Sequence, residues 1–230
     1  MLKFRNVSLS LAGQEVLKNL NFEIVSGELV AIVGASGAGK SSIFKLLISE
    51  QRPTLGTILL DQFSIGDLSF SSIQNYRRQI GIIFQDFRLL SQKTIFENVA
   101  FALEVCGEKK ITEKVLELLK LVGLTQKQGA FPRELSGGER QRVSIARALV
   151  HDPKILIADE ATGNLDPKNS LEIATIFQQL HEEKNLTILF ATHDPILIEK
   201  LTPRVIRLKN GVIDLDKKAC TVEEAFKGLL

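Results

Sequence analysis

The amino-acid sequence predicts an α/β fold with a parallel core sheet, an antiparallel β part before it and a helical insertion within it. Three nearly continuous apolar runs indicate strands that are buried on both faces, as in a parallel sheet; they are residues 80–84 (IGIIF), 154–158 (KILIA) and 187–191 (TILFA). The sequence before them alternates with a period of two, and the stretch between the first two runs has a helical period. This alternation of strands and helices is typical of an α/β domain.

The start of the chain is predicted to be mostly β structure around one helix. Residues 2–25 alternate in two runs that break at residues 12–13 (Ala-Gly), as two antiparallel strands joined by a turn would. Residues 28–33 (ELVAIV) indicate a short buried strand that enters a glycine-rich turn. Apolar residues within 43–47 then recur at the i, i+3, i+4 spacing of a helix, and residues 56–60 indicate another edge strand.

The end of the chain is predicted to hold a hairpin and a tail helix. Asn210-Gly211 lies between two apolar runs and is a strong hairpin signal. Thr221 and Glu224 have the spacing of a capping box. The tail residues that we expect to share one helix face, and to pack on the chain's own core rather than on a partner, are Val222, Ala225, Phe226, Leu229 and Leu230.

Length and pattern together predict one domain with several parts. The 230 residues, 44% of them hydrophobic and 24% charged, suffice for one large globular unit. We expect a core with an antiparallel part at residues 1–86 and 151–215. A helical subdomain is expected at residues 87–150 and a C-terminal helical tail at residues 216–230.

Charge, cysteines and hydropathy argue against several classes of protein. The formal net charge is only +2, whereas a dedicated nucleic-acid binder usually has a strongly basic face, so no nucleic acid is expected. Cys106 and Cys220 lack CxxC spacing, which favours reduced thiols in a cytosolic protein. No apolar run approaches the ~18 residues that span a bilayer, and the N-terminus lacks the apolar stretch of a signal peptide. We expect a soluble chain that reaches a membrane only through a partner.

A phosphate-binding loop is the strongest motif. Residues 34–41 (GASGAGKS) match GxxxxGK[ST] between a predicted strand and a predicted helix, which is the setting this motif requires. Glycines let backbone N–H groups surround phosphate oxygens, and the helix N-terminus adds positive charge. We expect Lys40 to reach the β- and γ-phosphates and the Ser41 hydroxyl to ligate Mg²⁺. The predicted nucleotide-binding residues are Gly34, Ala35, Ser36, Gly37, Ala38, Gly39, Lys40, Ser41 and Ser42.

Polar residues at the ends of three predicted strands extend this site. Asp159 and Glu160 end one strand, and because adjacent strand residues point to different sides, they take different roles. We expect Asp159 to hold Mg²⁺ and Glu160 to act as general base, the alternative being acids that merely solvate the strand end. Gln85 and His193 follow neighbouring strands, and both are expected to face the γ-phosphate.

A second glycine-rich helix start identifies the family. Residues 135–141 (LSGGERQ) open an apolar-periodic helix, and Ser136 with Glu139 also fits an ordinary capping box. The stretch resembles the signature of ABC ATPases. The resemblance implies a P-loop NTPase (RecA-like) core with an antiparallel β subdomain and an inserted α-helical subdomain. It also implies that Ser136, Gly137, Gly138 and Glu139 of one copy meet the γ-phosphate held by another, so that ATP is bound between two copies.

The other motifs of the family lie in order along the chain. The resemblance assigns the Walker A loop to residues 34–41, the Q-loop to Gln85, Walker B to residues 155–159, the catalytic glutamate to Glu160, the D-loop to Asn164, Leu165 and Asp166, and the switch histidine to His193. It implies Lys40, Gln85, Glu160 and His193 as catalytic residues, Asp166 as a further nucleotide contact, and Ser41, Gln85 and Asp159 as metal ligands. Two positions depart from the family pattern. Leu11 stands where an aromatic residue usually stacks on adenine, and Ala161 stands where proline is usual.

Four stretches are most similar to the FtsE subfamily of cell-division ATPases and overlap with the LolD and MacB subfamilies: residues 77–90, 94–103, 131–150 and 158–167. The resemblance implies ATP with Mg²⁺, a homodimer that forms on ATP binding, and a location at the cytoplasmic face of the bacterial inner membrane. It implies an integral membrane subunit similar to FtsX, docked between the Gln85 loop and the helical part. Phe87, Leu89 and Leu90 are candidates either for that docking groove or for packing between subdomains.

Other functions remain as alternatives. An exporter or lipoprotein-release ATPase similar to LolD or MacB is the main one. A DNA-repair ABC ATPase is disfavoured because the chain has no room for a long coiled coil. A module that only binds ATP is disfavoured because Glu160 and His193 are both present.

Overall fold

A computed structural model describes residues 2–163 and 165–229 and has the predicted α/β architecture. Its strands are Leu2–Leu11 (β1), Gln14–Ile24 (β2), Leu29–Gly34 (β3), Leu55–Leu60 (β4), Phe63–Ser64 (β5), Ile80–Ile83 (β6), Ile155–Asp159 (β7), Thr187–Ala191 (β8), Arg204–Lys209 (β9) and Val212–Lys217 (β10). Its α-helices are Lys40–Leu47 (α1), Phe70–Arg77 (α2), Ile95–Val105 (α3), Ile111–Leu121 (α4), Gly137–Ala148 (α5), Pro167–Lys184 (α6), Pro195–Leu201 (α7) and Val222–Phe226 (α8).

The strands form two sheets. The antiparallel sheet has the order β2-β1-β4-β5, and the core sheet has the order β10-β9-β3-β8-β7-β6. All neighbours in the core sheet are parallel except β10 and β9. The strand predicted at residues 56–60 is not an edge strand, because the two-residue β5 pairs with its end. A hairpin at Asn210-Gly211 joins β9 to β10 as predicted, with φ values of 52° and 81°.

Strand register places the candidate site at the carboxyl ends of the core strands. Ile83 of β6 is level with Ala158 of β7, and Asp159 of β7 is level with Ala191 of β8. The carboxyl ends of these parallel strands therefore open at the same place, where ligands of open α/β sheets bind.

The core lies on both faces of this sheet. Along β3, Ala31 and Val33 belong to a cluster with the helices α3 to α7, whereas Val30 and Ile32 belong to a second cluster with α1 and the antiparallel sheet. This two-residue period explains why β3 is apolar at every position.

The tail packs on the chain's own core, as predicted. Ala225 is fully buried, and Val222, Phe226 and Leu229 are half-buried against the same cluster. The helix α8 ends at Phe226, earlier than the apolar pattern indicates, and Gly228 follows with a φ of 74°. Leu230 lies outside the described residues.

The structure describes both cysteines and the apolar character of the helices. Cys106 and Cys220 are both free thiols, and Cys220 is buried. Over residues 2–163 and 165–229, no helix combines the length and the apolar character that crossing a membrane requires.

Candidate active site

The phosphate loop joins β3 to α1 through a turn in which two positions require glycine. Gly39 has a φ of 107°, and a Cβ there would lie 2.5 Å from Leu17 Cδ2. At Gly34, a Cβ would lie 2.6 Å from the Leu208 carbonyl oxygen. The helix α1 then begins at Lys40 without a side-chain cap and without an acid in its first turn. Its first N–H groups are thus available to an anion.

Lys40 connects this loop to the end of β7. Its side chain is almost wholly buried, and Nζ donates to the carbonyl oxygens of Gly34 at 2.8 Å and Ala35 at 3.2 Å. The same Nζ lies 3.7 Å from Glu160 Oε1. A buried lysine held in this way is a fixed positive charge at the mouth of the loop.

Glu160 occupies the centre of the site in a conformation that is unusual for its residue type. Its φ is 50°, in the left-handed region, and its N–H donates to the Ala191 carbonyl oxygen at 3.1 Å. Oε1 lies 3.7 Å from His193 Nδ1 as well as 3.7 Å from Lys40 Nζ. Non-glycine residues held at positive φ cluster at functional sites. The structure therefore brings Lys40, Glu160 and His193 together as the sequence predicts.

Asp159 and Ser41 form a group suited to a metal ion. Burial raises the pKa of Asp159, a hydrogen bond from Ser41 lowers it in part, and the neighbouring Glu160 raises it further. The Oδ1 atom of Asp159 is buried and has no hydrogen-bond partner among the described residues. A hard divalent cation would satisfy this oxygen together with the Ser41 hydroxyl. These two residues therefore fit Mg²⁺.

These residues open into a cavity of about 750 Å³ that the C-terminal tail helps to enclose. One side is lined by Gly34, Ala35, Ser36, Lys40, Glu160 and His193, and the other by Pro195 and residues of the tail, including Phe226 and Lys227. The tail contribution was not predicted. The sequence contains a signal for the helix, the capping box of Thr221 and Glu224, but none for where the helix docks.

The predicted signature forms a complete helix start elsewhere in the fold. The Ser136 hydroxyl accepts the Glu139 N–H at 3.3 Å, and Glu139 Oε2 accepts the Ser136 N–H at 2.9 Å. An ion pair with Lys127, and then the Ser136 N–H, lower the pKa of Glu139. The capping box and the signature are thus formed by the same residues. The interpretation of Ser136 and Glu139 as a capping box is therefore also correct.

Asn169, which the sequence analysis did not select, connects the signature to the predicted D-loop. A Cβ on Gly138 would lie only 1.8 Å from Asn169 Oδ1. The Asn169 N–H donates to Asp166 Oδ1 at 2.9 Å, and its Nδ2 donates to Asp166 Oδ2 at 2.6 Å. Asp166 caps α6 in this way, which lowers its pKa. Asn164 lies outside the described residues.

Several predicted residues are not part of the cavity. Leu11 is 37% exposed at the end of β1 and does not line it, and neither do Gln85 or residues 136–139. Gln85 is exposed in the turn that follows β6. Gly37, Ala38, Gly39, Ser41 and Ser42 belong to the phosphate loop and to the first turn of α1, next to the lining residues.

The segment after Gln85 is held by two arginines of α5. Phe87 and Arg88 have φ values of 58° and 48°. Arg147 donates to the carbonyl oxygens of both residues, at 2.8 Å and 2.5 Å respectively. The Arg140 guanidinium lies 5.4 Å from the centre of the Phe87 ring. Leu89 packs against the main core, whereas Leu90 is 39% exposed. The helix that begins at the signature thus contacts the Gln85 segment directly.

Three comparisons with known proteins find chains similar to this one. The family model described as ABC transporter matches residues 17–163. The cell division ATP-binding protein FtsE of Bacillus subtilis is 44% identical over 207 residues, which are 89% of this chain and 90% of that protein. The methionine import ATP-binding protein MetN 2 of Bacillus cereus is 42% identical over 219 residues, 93% of this chain and 65% of that protein. The dimeric ATP-binding cassette MJ0796, solved in a post-hydrolysis state with ADP and Pi, superposes with a TM-score of 0.84 at 33% identity, covering 96% of this chain and 99% of that one.

Proposed function

The chain belongs to the ABC transporter family of ATPases, and on that basis we propose that it is the ATP-hydrolysing subunit of an FtsE–FtsX-like membrane complex in bacterial cell division. ATP-driven closure of a homodimer would control cell-wall hydrolysis through the membrane partner. The FtsE relatives support this role because they match about nine tenths of both chains. Such a subunit acts at the cytoplasmic face of the bacterial inner membrane.

One observation carries the shared-site part of the proposal. The cavity at the phosphate loop brings together Lys40, Glu160 and His193, yet none of residues 136–139 lines it. The Gly137 and Gly138 N–H groups lie at the N-terminus of α5, where a phosphate held by another copy could bind. A second copy would supply the missing half of each site, with Asp166 beside it. The dimeric MJ0796 cassette bound to ADP and Pi supports this arrangement.

The residues of this chain have distinct roles in the proposed hydrolysis. The phosphate loop positions the triphosphate, and Lys40 stabilises the negative charge that develops on the γ-phosphate. Glu160 Oε1 accepts a proton from the attacking water. His193 Nδ1, 3.7 Å from that oxygen, holds the carboxylate and the γ-phosphate in place. Gln85 would approach the same point from the neighbouring strand.

Ser41 and Asp159 would hold Mg²⁺, and Gln85 would complete the set when its loop closes on nucleotide. When bound, the ion neutralises charge on the β- and γ-phosphate oxygens. The orphaned Oδ1 of Asp159 is the feature of this chain that supports the assignment.

Replacement of Glu160 tests the catalytic assignment. Glu160→Gln should keep ATP binding, lower turnover by ~10²–10⁴-fold and accumulate an ATP-bound dimer. Phosphate release and size-exclusion chromatography with ATP measure these effects. Glu183→Gln, the same change at an exposed position of α6, is the matched control. Unchanged turnover in Glu160→Gln would remove this residue from the role of general base.

Replacement of Ser136 tests the shared site. Ser136→Arg should block closure of the dimer and hydrolysis while the monomer still binds nucleotide. Ser71→Arg, an exposed serine-to-arginine change on α2, should behave like the native chain. Normal hydrolysis by the Ser136→Arg variant would contradict a site divided between two copies.

A transporter role is the second candidate, and the similarity to MetN 2 favours it. It includes exporter or lipoprotein-release ATPases of the LolD or MacB type. Affinity purification of the chain from solubilised membranes, followed by mass spectrometry, separates the two. Recovery of an FtsX-like subunit would support the cell-division role. Recovery of a solute permease would overturn that role and favour transport.

A further inference from the structure

The cavity in front of the phosphate loop lies between two walls of different character. The wall that belongs to the phosphate site contains Lys40, Glu160 and His193. The opposite wall belongs to residues 221–229, which we call the tail flap. Its lining residues are three apolar ones, two exposed ones of opposite charge and a glycine: Val222, Phe226, Leu229, Glu223, Lys227 and Gly228. This wall therefore offers a phosphate no net charge and mostly apolar side chains, which cannot replace its water.

In the proposed dimer, the second copy needs the space that the tail flap covers. A γ-phosphate bound by Lys40 has Glu160 and His193 on the side of its own chain, which leaves the side that the flap lines. The N–H groups of Gly137 and Gly138 of the second copy have to reach the same phosphate. The flap and the second copy therefore compete for the remaining side of the site.

Polar contacts at the surface hold the tail flap in place. Arg207 of β9 donates from Nη1 to the carbonyl oxygens of Glu224 at 2.9 Å and Lys227 at 3.1 Å. Lys217 of β10 forms an ion pair with Glu224, and the two side chains are 45% and 42% exposed. Exposed ion pairs are weak because water and salt screen them. These contacts can therefore open at low cost.

The helix within the tail flap is too short to be stable alone. The helix α8 has five residues, whereas isolated helices shorter than ~12–15 residues are marginal in water. Among the described side chains of the flap, only Ala225 is fully buried. The flap thus stays folded only while it is docked, as is typical of segments that open locally at a low free energy.

We propose that the tail flap covers the phosphate end of the site in the nucleotide-free chain and has to undock before Ser136 of a second copy can close on bound ATP. This inference rests on the proposed function and adds a conformational step that precedes dimer closure. Without nucleotide, contacts between two copies do not offset the cost of undocking. ATP shifts the equilibrium because it makes additional contacts only in the undocked, closed dimer.

Hydrogen–deuterium exchange measures whether the tail flap undocks. The Glu160→Gln chain, which is expected to accumulate the ATP-bound dimer, is compared with and without MgATP. The Ala225 N–H donates to the Thr221 carbonyl oxygen at 2.9 Å, and it should exchange at least ~10-fold faster in the dimer. The Ser136→Arg/Glu160→Gln chain binds ATP without forming a dimer, so its flap should stay protected.

A charge reversal at the ion pair of the flap measures the effect of the flap on dimerisation. In the Glu160→Gln background with MgATP, Lys217→Glu repels Glu224. It should lower the chain concentration at half-dimerisation by at least ~3-fold. Lys209→Glu, the same change at an exposed position of β9, should shift that concentration by less than ~1.5-fold. Analytical ultracentrifugation measures both.

The outcomes separate this inference from the proposed function. If the Glu160→Gln chain does not dimerise with MgATP, the shared site fails and the inference fails with it. If it dimerises while the flap stays protected, or if Lys217→Glu dimerises no more readily than Lys209→Glu, only the tail flap is excluded. Circular dichroism checks folding. Glu224→Gln, which removes the ion pair and keeps a residue type that forms capping boxes, replaces Lys217→Glu if that variant misfolds, and the same direction of change is expected.

Discussion

Two helices of this chain begin at glycine-rich turns, and their first turns are built in opposite ways. The helix α1 follows Gly39, which has a φ of 107°, and it has no side-chain cap and no acid in its first turn. The helix α5 follows Ser136, which forms a complete capping box with Glu139. The first start leaves its N–H groups to a ligand, whereas the second satisfies two of them within the chain.

In the proposed dimer, these two helix starts belong to the two halves of one site. The open start of α1 has no side-chain cap, so the N–H groups of its first turn are suited to a phosphate. The capped start of α5 is already stable, and only the Gly137 and Gly138 N–H groups remain for a phosphate. Gly138 also lets Asn169 approach closely, which ties this start to Asp166. In the proposed dimer, the first half would bind phosphate and the second would be a preformed lid.

The largest expected effect comes from removing a charged side chain of the phosphate loop, at the open start of α1. Lys40→Ala removes the cation that bridges the loop and Glu160, so hydrolysis should fall by at least ~100-fold. Phosphate release measures it. Lys45→Ala, an exposed lysine-to-alanine change five residues later on α1, should retain most of the activity. Equal loss in both variants would mean that the effect comes from the charge of the helix rather than from the position of Lys40.

A smaller effect separates the two glycines of the capped half. Gly138→Ala should lower the free energy of unfolding by about 1–3 kcal/mol, because its Cβ would lie 1.8 Å from Asn169 Oδ1. Gly137→Ala, where the nearest atom is Leu165 Cδ2 at 3.5 Å, should change it by less than about 0.5 kcal/mol. Urea denaturation measures both.

A double-mutant cycle then identifies the cause of the Gly138 effect. In the Asn169→Ala background, Gly138→Ala should cost less, since the clashing amide is gone. An equal cost in both backgrounds would show that backbone freedom, not close packing, requires glycine here.

A third change makes the open half more stable and less active. Burial raises the pKa of Asp159, so the ionised carboxylate is disfavoured in the folded chain. Asp159→Asn should therefore raise the free energy of unfolding at pH 7 by about 1 kcal/mol, and the gain should disappear below the ordinary pKa of aspartate. Thermal unfolding without Mg²⁺ measures it, together with loss of Mg²⁺-dependent hydrolysis. A destabilised variant would contradict this account.

The sequence was sufficient for the parts of the site that local chemistry determines. The motifs at the strand ends lie in a recognisable order and contain Lys40, Asp159, Glu160 and His193. A parallel sheet aligns the carboxyl ends of its strands independently of the conformation of the loops. The α/β architecture was predictable for the same reason, since periodicity is set by burial.

The parts that were missed depend on contacts between distant segments. Asn169 looks like an ordinary residue in the first turn of a helix, and only the fold places its amide against Gly138. Phe226 was predicted to pack on the core, but not to face the phosphate cavity. The left-handed φ of Glu160 accompanies a hydrogen bond from its N–H to the Ala191 carbonyl oxygen of β8, and no local pattern indicates it.

The smallest expected effect is the pH dependence of the stability that the capping box of α5 provides. Because Lys127 and the Ser136 N–H lower the pKa of Glu139, the ionised carboxylate stabilises the folded chain. That stabilisation is present above the unfolded value of 4.5 and is lost as the pH falls through the folded pKa. Glu139→Gln should thus lower the free energy of unfolding by about 0.5–1 kcal/mol at pH 7, with a smaller difference from the native chain at acid pH. Urea denaturation from neutral to acid pH measures it, with the exposed Glu183→Gln as control. A difference that stays constant with pH would mean that the cap acts through shape alone, and the contrast between the two helix starts would then not be electrostatic.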